Sequence, residues 1–206
     1  MGNIMMDGLR MRIQWTHNGI VSISEALSET QLSQQPGPTS PPIGWHLWHA
    51  SRWADRLQAS FRTDSLKDTY KDPLKTEYWE KENMTQEWEL SKGSLGLLET
   101  GATMTVEAAV TVACIGKSKL ITHANRVFEA AEEAMSKVDD GMLNQSRYSI
   151  LPELQNMPNE QPVYVGDRQT TICDDFLFHL SHMGRHLGMM EALQGSLFGV
   201  SGSASI

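Results

Sequence analysis

The chain has 206 residues, enough for one domain of ordinary size with a full core. Seventeen Lys and Arg against 25 Asp and Glu give a net charge of −8, which disfavours broad contact with nucleic-acid phosphates. No apolar run of about 18 residues is present to span a membrane. The N-terminal MGNIMMDGLRMR lacks the apolar stretch of a secretion signal, and Cys114 and Cys173 make no disulfide framework, so a reducing cytoplasm is the expected compartment.

Helical periodicity dominates the chain, and strand signals are almost absent. Met6, Leu9, Ile13, Ile20, Ile23 and Leu27 recur at helical steps and predict a first helix ending before the breaker cluster Gln35-Pro36-Gly37-Pro38. A second helix is expected through GWHLWHASRWADRLQASF, capped by Ser40 with Pro41 in its first turn, and burying Leu47, Ala50, Ala54, Leu57 and Phe61. Residues 62–104 are polar and irregular, with isolated Tyr70, Tyr78, Trp79 and Trp88. So long a loop is unusual in a compact domain, which points to short helical turns lying over one end of the fold.

A third long helix follows Thr105, with an apolar stripe from Val106 to Val138 interrupted by Lys117. Gly116 lies at the edge of that stripe, where a bend or a close neighbour is expected, and Asp139-Asp140-Gly141 closes the helix. Residues 142–166, with Pro152, Pro158 and Pro162, read as a connection. Asp167 is the expected cap of a fourth helix that stops at Gly195. The composite is an all-α protein, a four-helix bundle: one domain over residues 1–195, an irregular insertion at 62–104 and a flexible tail at 196–206.

Chemistry concentrates in the fourth helix, ICDDFLFHLSHMGRHLGMMEALQG. At about 100° per residue, with His179 at 0°, His182 falls at about 300° and His186 at about 340°, among Ile172, Phe176, Met183 and Met190. All three imidazoles thus face the core, where each ring nitrogen needs a partner. His182 and His186 are one turn apart, so both rings can converge on one ion. The second helix adds His46, at the edge of its apolar arc, and His49, beyond that arc between Trp45 and Trp53; spacing alone does not choose between them. No zinc-protease H-E-x-x-H, nucleophile elbow, phosphate loop or dinucleotide fingerprint is present.

Two segments, PPIGWHLWHASRWAD and FHLSHMGRHLGMMEALQG, resemble the DinB-like superfamily, which includes YfiT-like proteins and mycothiol-dependent transferases. The resemblance rests on Trp45, His49, Arg52 and Asp55 in the first segment. In the second it rests on His182, His186, Gly188, Ala192, Leu193 and Gly195. It extends to the helix order, the ETQLSQQPGP link and the third helix, and leaves 62–104 unmatched. It implies an up-down-down-up bundle, often a homodimer, with a divalent ion on three histidines that map onto His49, His182 and His186. His46 and His179 fall outside the pattern, as partners of the ligands or as packing residues. His123 can approach the cavity, and His17 has a weaker claim.

A three-imidazole ion keeps an open position, which suits either a hydrolase or a thiol transferase acting on a small molecule such as a low-molecular-weight thiol. Zinc and nickel are the favoured divalent metals. Asp175, one turn before His179, is the candidate catalytic carboxylate, with capping of the helix N-terminus as the alternative. Arg52 and Asp55 read equally well as a surface i,i+3 pair. Trp45, Trp48, Trp79 and Trp88 are candidates to wall an apolar cavity. The competing class is a non-catalytic metal-binding or dimerising helical bundle.

Overall fold

The structure, a computed structural model, describes residues 3–60, 77–147 and 170–200. Phe61, Tyr70, Asp167 and the segment with Pro152, Pro158 and Pro162 lie outside the described residues. The helices are α1 (Ile4–Ala26), α2 (Glu29–Ser33), α3 (Ile43–Ser60), α4 (Tyr78–Lys81), α5 (Met84–Glu87), α6 (Val106–Ala113), α7 (Lys117–Ser136) and α8 (Ile172–Phe198). A two-residue antiparallel pair, β1 (Ser146–Arg147) with β2 (Thr170–Thr171), leads into α8. The protein is all-α, and among the described residues no helix is long and apolar enough to cross a membrane.

The four long helices pack in a ring of neighbours: α1 on α7, α7 on α3, α3 on α8 and α8 on α1. Their apolar faces form two clusters. One gathers Ile20, Leu47, Trp48, Trp53, Leu120, Val127, Met183 and Met190; the other gathers Met6, Ile13, Leu57, Met135, Ile172 and Phe176. Along α1 and α8 the sequence places His17 and His179 at the junction of the two clusters.

Several element ends differ from the sequence expectation, each for a local reason. Pro42 disfavours helical backbone at Pro41, so α3 starts only at Ile43, with the Trp45 and His46 N–H groups reaching the Pro42 carbonyl. Ser40 does not cap α3; it bridges to Gly37 instead. The expected third helix is two helices. Thr105 caps α6 as expected, but Gly116 takes φ +113°, a backbone that other residues rarely adopt, and α7 restarts after it. Lys117 leaves the apolar stripe because its ammonium donates to the Glu25 (2.7 Å) and Leu27 carbonyls at the end of α1.

α7 ends at Ser136, and Gly141 lies in a 3-10 turn, Asp140–Met142, that Asp139 caps by accepting from the Met142 N–H. Thr171 and Asp174 form the capping box that starts α8. That helix passes Gly195 and closes on left-handed Gly199, so residues 196–198 belong to it rather than to a tail.

The largest departure is at Arg52 and Asp55, which are fully buried rather than on the surface. Arg52 Nη1 donates to Asp55 Oδ2 (2.9 Å) and Nη2 to Glu77 Oε2 (2.6 Å), while Arg56 Nη1 donates to Glu77 Oε1 (3.2 Å). Asp55 also accepts the Tyr78 and Trp79 N–H groups, both at 2.9 Å, where α4 begins. This network ties the described part of the irregular segment, residues 77–104, to α3. The short helices expected there are α4 and α5, and Trp79, Met84, Trp88 and Leu95 anchor them in the first core cluster.

Burial pushes the Glu77 carboxyl upward, against the pull of Arg52 and Arg56. Removing the carboxylate leaves two guanidinium groups desolvated, so Glu77→Ala is expected to cost about 3–5 kcal/mol. Urea denaturation of the two proteins checks this; a loss below about 1 kcal/mol would show that the network is not holding the segment.

Candidate metal centre

The one-turn spacing of His182 and His186 on α8 and the packing of α3 against that helix bring His49, His182 and His186 together, with one nitrogen of each within 4.8 Å of the others. His182 Nε2 stands 3.2 Å from His49 Nε2 and 3.0 Å from His186 Nε2. His49 and His186 are buried and His182 is half-buried. Trp45 stacks on His49 (centroids 4.7 Å apart, planes 16°), and Trp53 meets the His182 ring edge-on at 5.3 Å.

Protonation follows from these contacts. His49 Nδ1 donates to the Thr100 carbonyl, which leaves Nε2 with its lone pair toward the other rings. His186 Nδ1 pairs with His46 Nδ1 at 2.9 Å. His49 Nε2 can only accept, so that contact needs the proton of His182 Nε2, and the same proton cannot serve His186 as well; neutral rings therefore do not satisfy both contacts at once. The three residues form a group that could hold a metal ion. Two nitrogens on a shared ion, each about 2.0–2.1 Å from it, stand about 3–3.4 Å apart, close to the two spacings that His182 makes, while the group as a whole lies within 4.8 Å.

Burial keeps the rings neutral and their lone pairs available. It lowers His182 to about 3, with His186 and Arg185 adding to the effect. Burial and Arg185 lower His186 to about 4; burial and His186 lower His46 to about 3. His49 is held well below its ordinary value by burial and then by the neighbouring His186 and His182.

The other candidates sort differently. His46 touches the cluster through His186. His179 pairs instead with His17, Nε2 to Nε2 at 3.0 Å, and the Glu132 carboxylate accepts from His17 Nδ1 at 3.0 Å while Phe128 stacks on that ring. Asp175 is buried on α8, one turn before His179. His123 does not join the cluster; it lies against the edges of Trp79 and Trp88. Trp48, Trp79 and Trp88 are core residues, so of the four tryptophans proposed for the wall only Trp45 packs on the cluster.

Sequence reasoning missed Trp53, which abuts His182, and the loop residues Thr100 and Gly101. Gly101 has φ +90°, and a Cβ there would sit 2.9 Å from His49 Nδ1. The closely spaced Gly93, Gly96 and Gly101 were the available signal of a tight loop, and all three take positive φ in the structure.

Four long helices, with histidines from α3 and α8 converging in a group that could hold a metal ion, define an all-α protein with a candidate metal site. The chain belongs to the DinB superfamily, whose family model matches residues 12–190. A solved structure of a conserved protein from Enterococcus faecalis shares the fold with a TM-score of 0.66 at 15% identity, over 94% of this chain and 97% of that one. No curated protein sequence matches the chain.

His123 supplies a pH test away from the cluster. Burial lowers it to about 4, opposed by Asp55 and aided by Arg52 and Arg126, the charged groups that act on it. Its Nε2 has no hydrogen-bond partner among the described residues. The unfolded chain therefore takes up this proton first as pH falls through about 6.5, and the folded state loses stability between there and about pH 4. Histidine NMR should show the His123 ring neutral at pH 5; a midpoint near the ordinary value would contradict the burial.

Proposed function

We propose that His49, His182 and His186 hold one divalent ion and that the protein is a metal-dependent enzyme acting on a small molecule. The observation that carries this reading is the convergence of three neutral imidazoles whose facing nitrogens do not all satisfy one another. Imidazole donors suit zinc or nickel. Such an ion supplies Lewis acidity and lowers the pKa of water or of a thiol, the chemistry of a hydrolase or of a thiol S-transferase.

The chain's own residues supply the rest. The Thr100 carbonyl and His46 orient His49 and His186 through their second nitrogens. Trp45, Trp53 and Phe178 line the rings with apolar surface that excludes water and favours an apolar or aromatic group on the substrate. Asp175 remains our candidate proton acceptor. The two unpaired cysteines fit the reducing cytoplasm proposed as the compartment.

Metal analysis of protein purified without chelators is expected to find about one divalent ion per chain, lost in His49→Ala and in His182→Ala. His46→Ala is expected to retain the ion with affinity weakened roughly tenfold. A metal-free wild type would overturn the reading. Bound metal with no turnover of ester, amide or thiol-acceptor panels would leave a non-catalytic metal-binding bundle.

The assembly we propose is a homodimer. Ile4, Met11 and Trp15 lie within about 40° of one another on the outer face of α1 and are 81%, 62% and 64% exposed. A self-complementary apolar stripe of this kind suits a two-fold partner. Light scattering should show a dimer that Trp15→Glu converts to monomer; a monomeric wild type at micromolar concentration would refute it.

A further inference from the structure

We propose that Arg52 is a positioning residue for the histidine centre, acting through the loop that carries Thr100. Its three donor groups leave in three directions. Nη1 and Nη2 reach Asp55 and Glu77, and Nε donates to the Glu99 carbonyl at 2.9 Å. The next carbonyl along the chain, that of Thr100, accepts the Nδ1–H of His49. One buried guanidinium thus grips α3, the start of α4 and the loop one peptide away from the atom that sets the His49 tautomer.

The loop needs such a grip. Leu98 and Glu99 both take positive φ, at 54° and 51°, and Gly101 takes 90°. Non-glycine residues in that region cost about 1–3 kcal/mol each and persist only where surrounding contacts impose them. The Glu99 side chain adds to the hold, accepting from Trp79 Nε1 (2.6 Å) and Thr85 Oγ1 (2.7 Å). Arg52 also lies 4.8 Å from the centre of the Trp79 ring. Gly101 then lets the held backbone approach His49, since a side chain there would collide with the imidazole and with Trp48.

A lysine cannot reproduce this fork: a single ammonium lacks the planar spread that serves a carboxylate on each side and a carbonyl at its base. Arg52 therefore fixes which nitrogen of His49 bears the proton, and so which one faces His182. The tautomer claim stands on the loop geometry alone; only its expression as metal affinity rests on the metal reading above.

The test compares Arg52→Lys, Gly101→Ala and Arg56→Lys with the wild type. Long-range 1H–15N correlations read the His49 tautomer in chelator-treated protein, and competition titration reads Zn2+ affinity. Arg52→Lys and Gly101→Ala should lose the single Nδ1–H form of His49 and weaken Zn2+ binding roughly 10–100-fold. Arg56→Lys, which alters the contact to Glu77 Oε1 and not the Glu99–Thr100 backbone, should lower thermal stability and leave both readings unchanged.

Should Arg52→Lys fail to fold, the paired Arg52→Gln, Glu77→Gln variant removes one charge of each sign and carries the same expectation. Folded Arg52 variants that keep the Nδ1–H tautomer, or that bind Zn2+ within about twofold of wild type, overturn the proposal. A wild type that binds no Zn2+ while the His49 tautomer still changes in the variants overturns the metal reading and supports this one.

Discussion

The protein's organisation turns on the cost of burying imidazoles. Six of its seven histidines are buried, and an interior ring nitrogen without a partner is expensive. The fold meets that cost in different ways. His17 and His179 satisfy one another and draw on Glu132. His46 and His186 share a contact, and His49 turns its proton to a loop carbonyl. His49, His182 and His186 converge with contacts that neutral rings do not all satisfy, which sets this cluster apart from the other two arrangements and makes it compatible with a metal ion.

That cluster is assembled from parts of unequal rigidity. α8 presents His182 and His186 at a fixed one-turn spacing that needs little help beyond the helix itself. His49 comes from another helix and depends on the polypeptide packed over it. The described stretch 77–104 is therefore part of the candidate centre's construction: Trp79 and Trp88 seat it in the core, the Arg52–Asp55–Glu77 network fastens it, and Thr100 contacts the ring. The same network explains why charges are present in the interior at all. A buried ion network is a doubtful source of net stability, whereas its directional hydrogen bonds hold a strained loop in one arrangement.

The helices were legible because their apolar spacing is strong, and the convergence of His182 and His186 follows from that spacing. Less legible were the ends and breaks. The division between α6 and α7 depends on Gly116, whose position was visible but whose backbone angle follows from Lys117 turning toward the end of α1. Choosing His49 over His46 needed family resemblance, since both lie on the buried side of α3 and both reach the cluster, one directly and one through His186. The burial of Arg52 and Asp55 was not legible: an i,i+3 pair of opposite charges looks the same in sequence whether it faces water or a loop folded over it.

By itself the sequence determined what is periodic and local: an all-α chain, the inward face of the α8 histidines, and the one-turn pair among them; it placed His49 outside the apolar arc of α3, and the structure buries it. Tertiary structure alone decided which distant groups meet, because contacts between α3, α8 and the 77–104 segment depend on how the helices and loop pack. It is packing that brings the Thr100 carbonyl to His49, His46 to His186, and Glu77 to two arginines. Helical periodicity determines where a side chain points, and only the assembled core determines what it finds there.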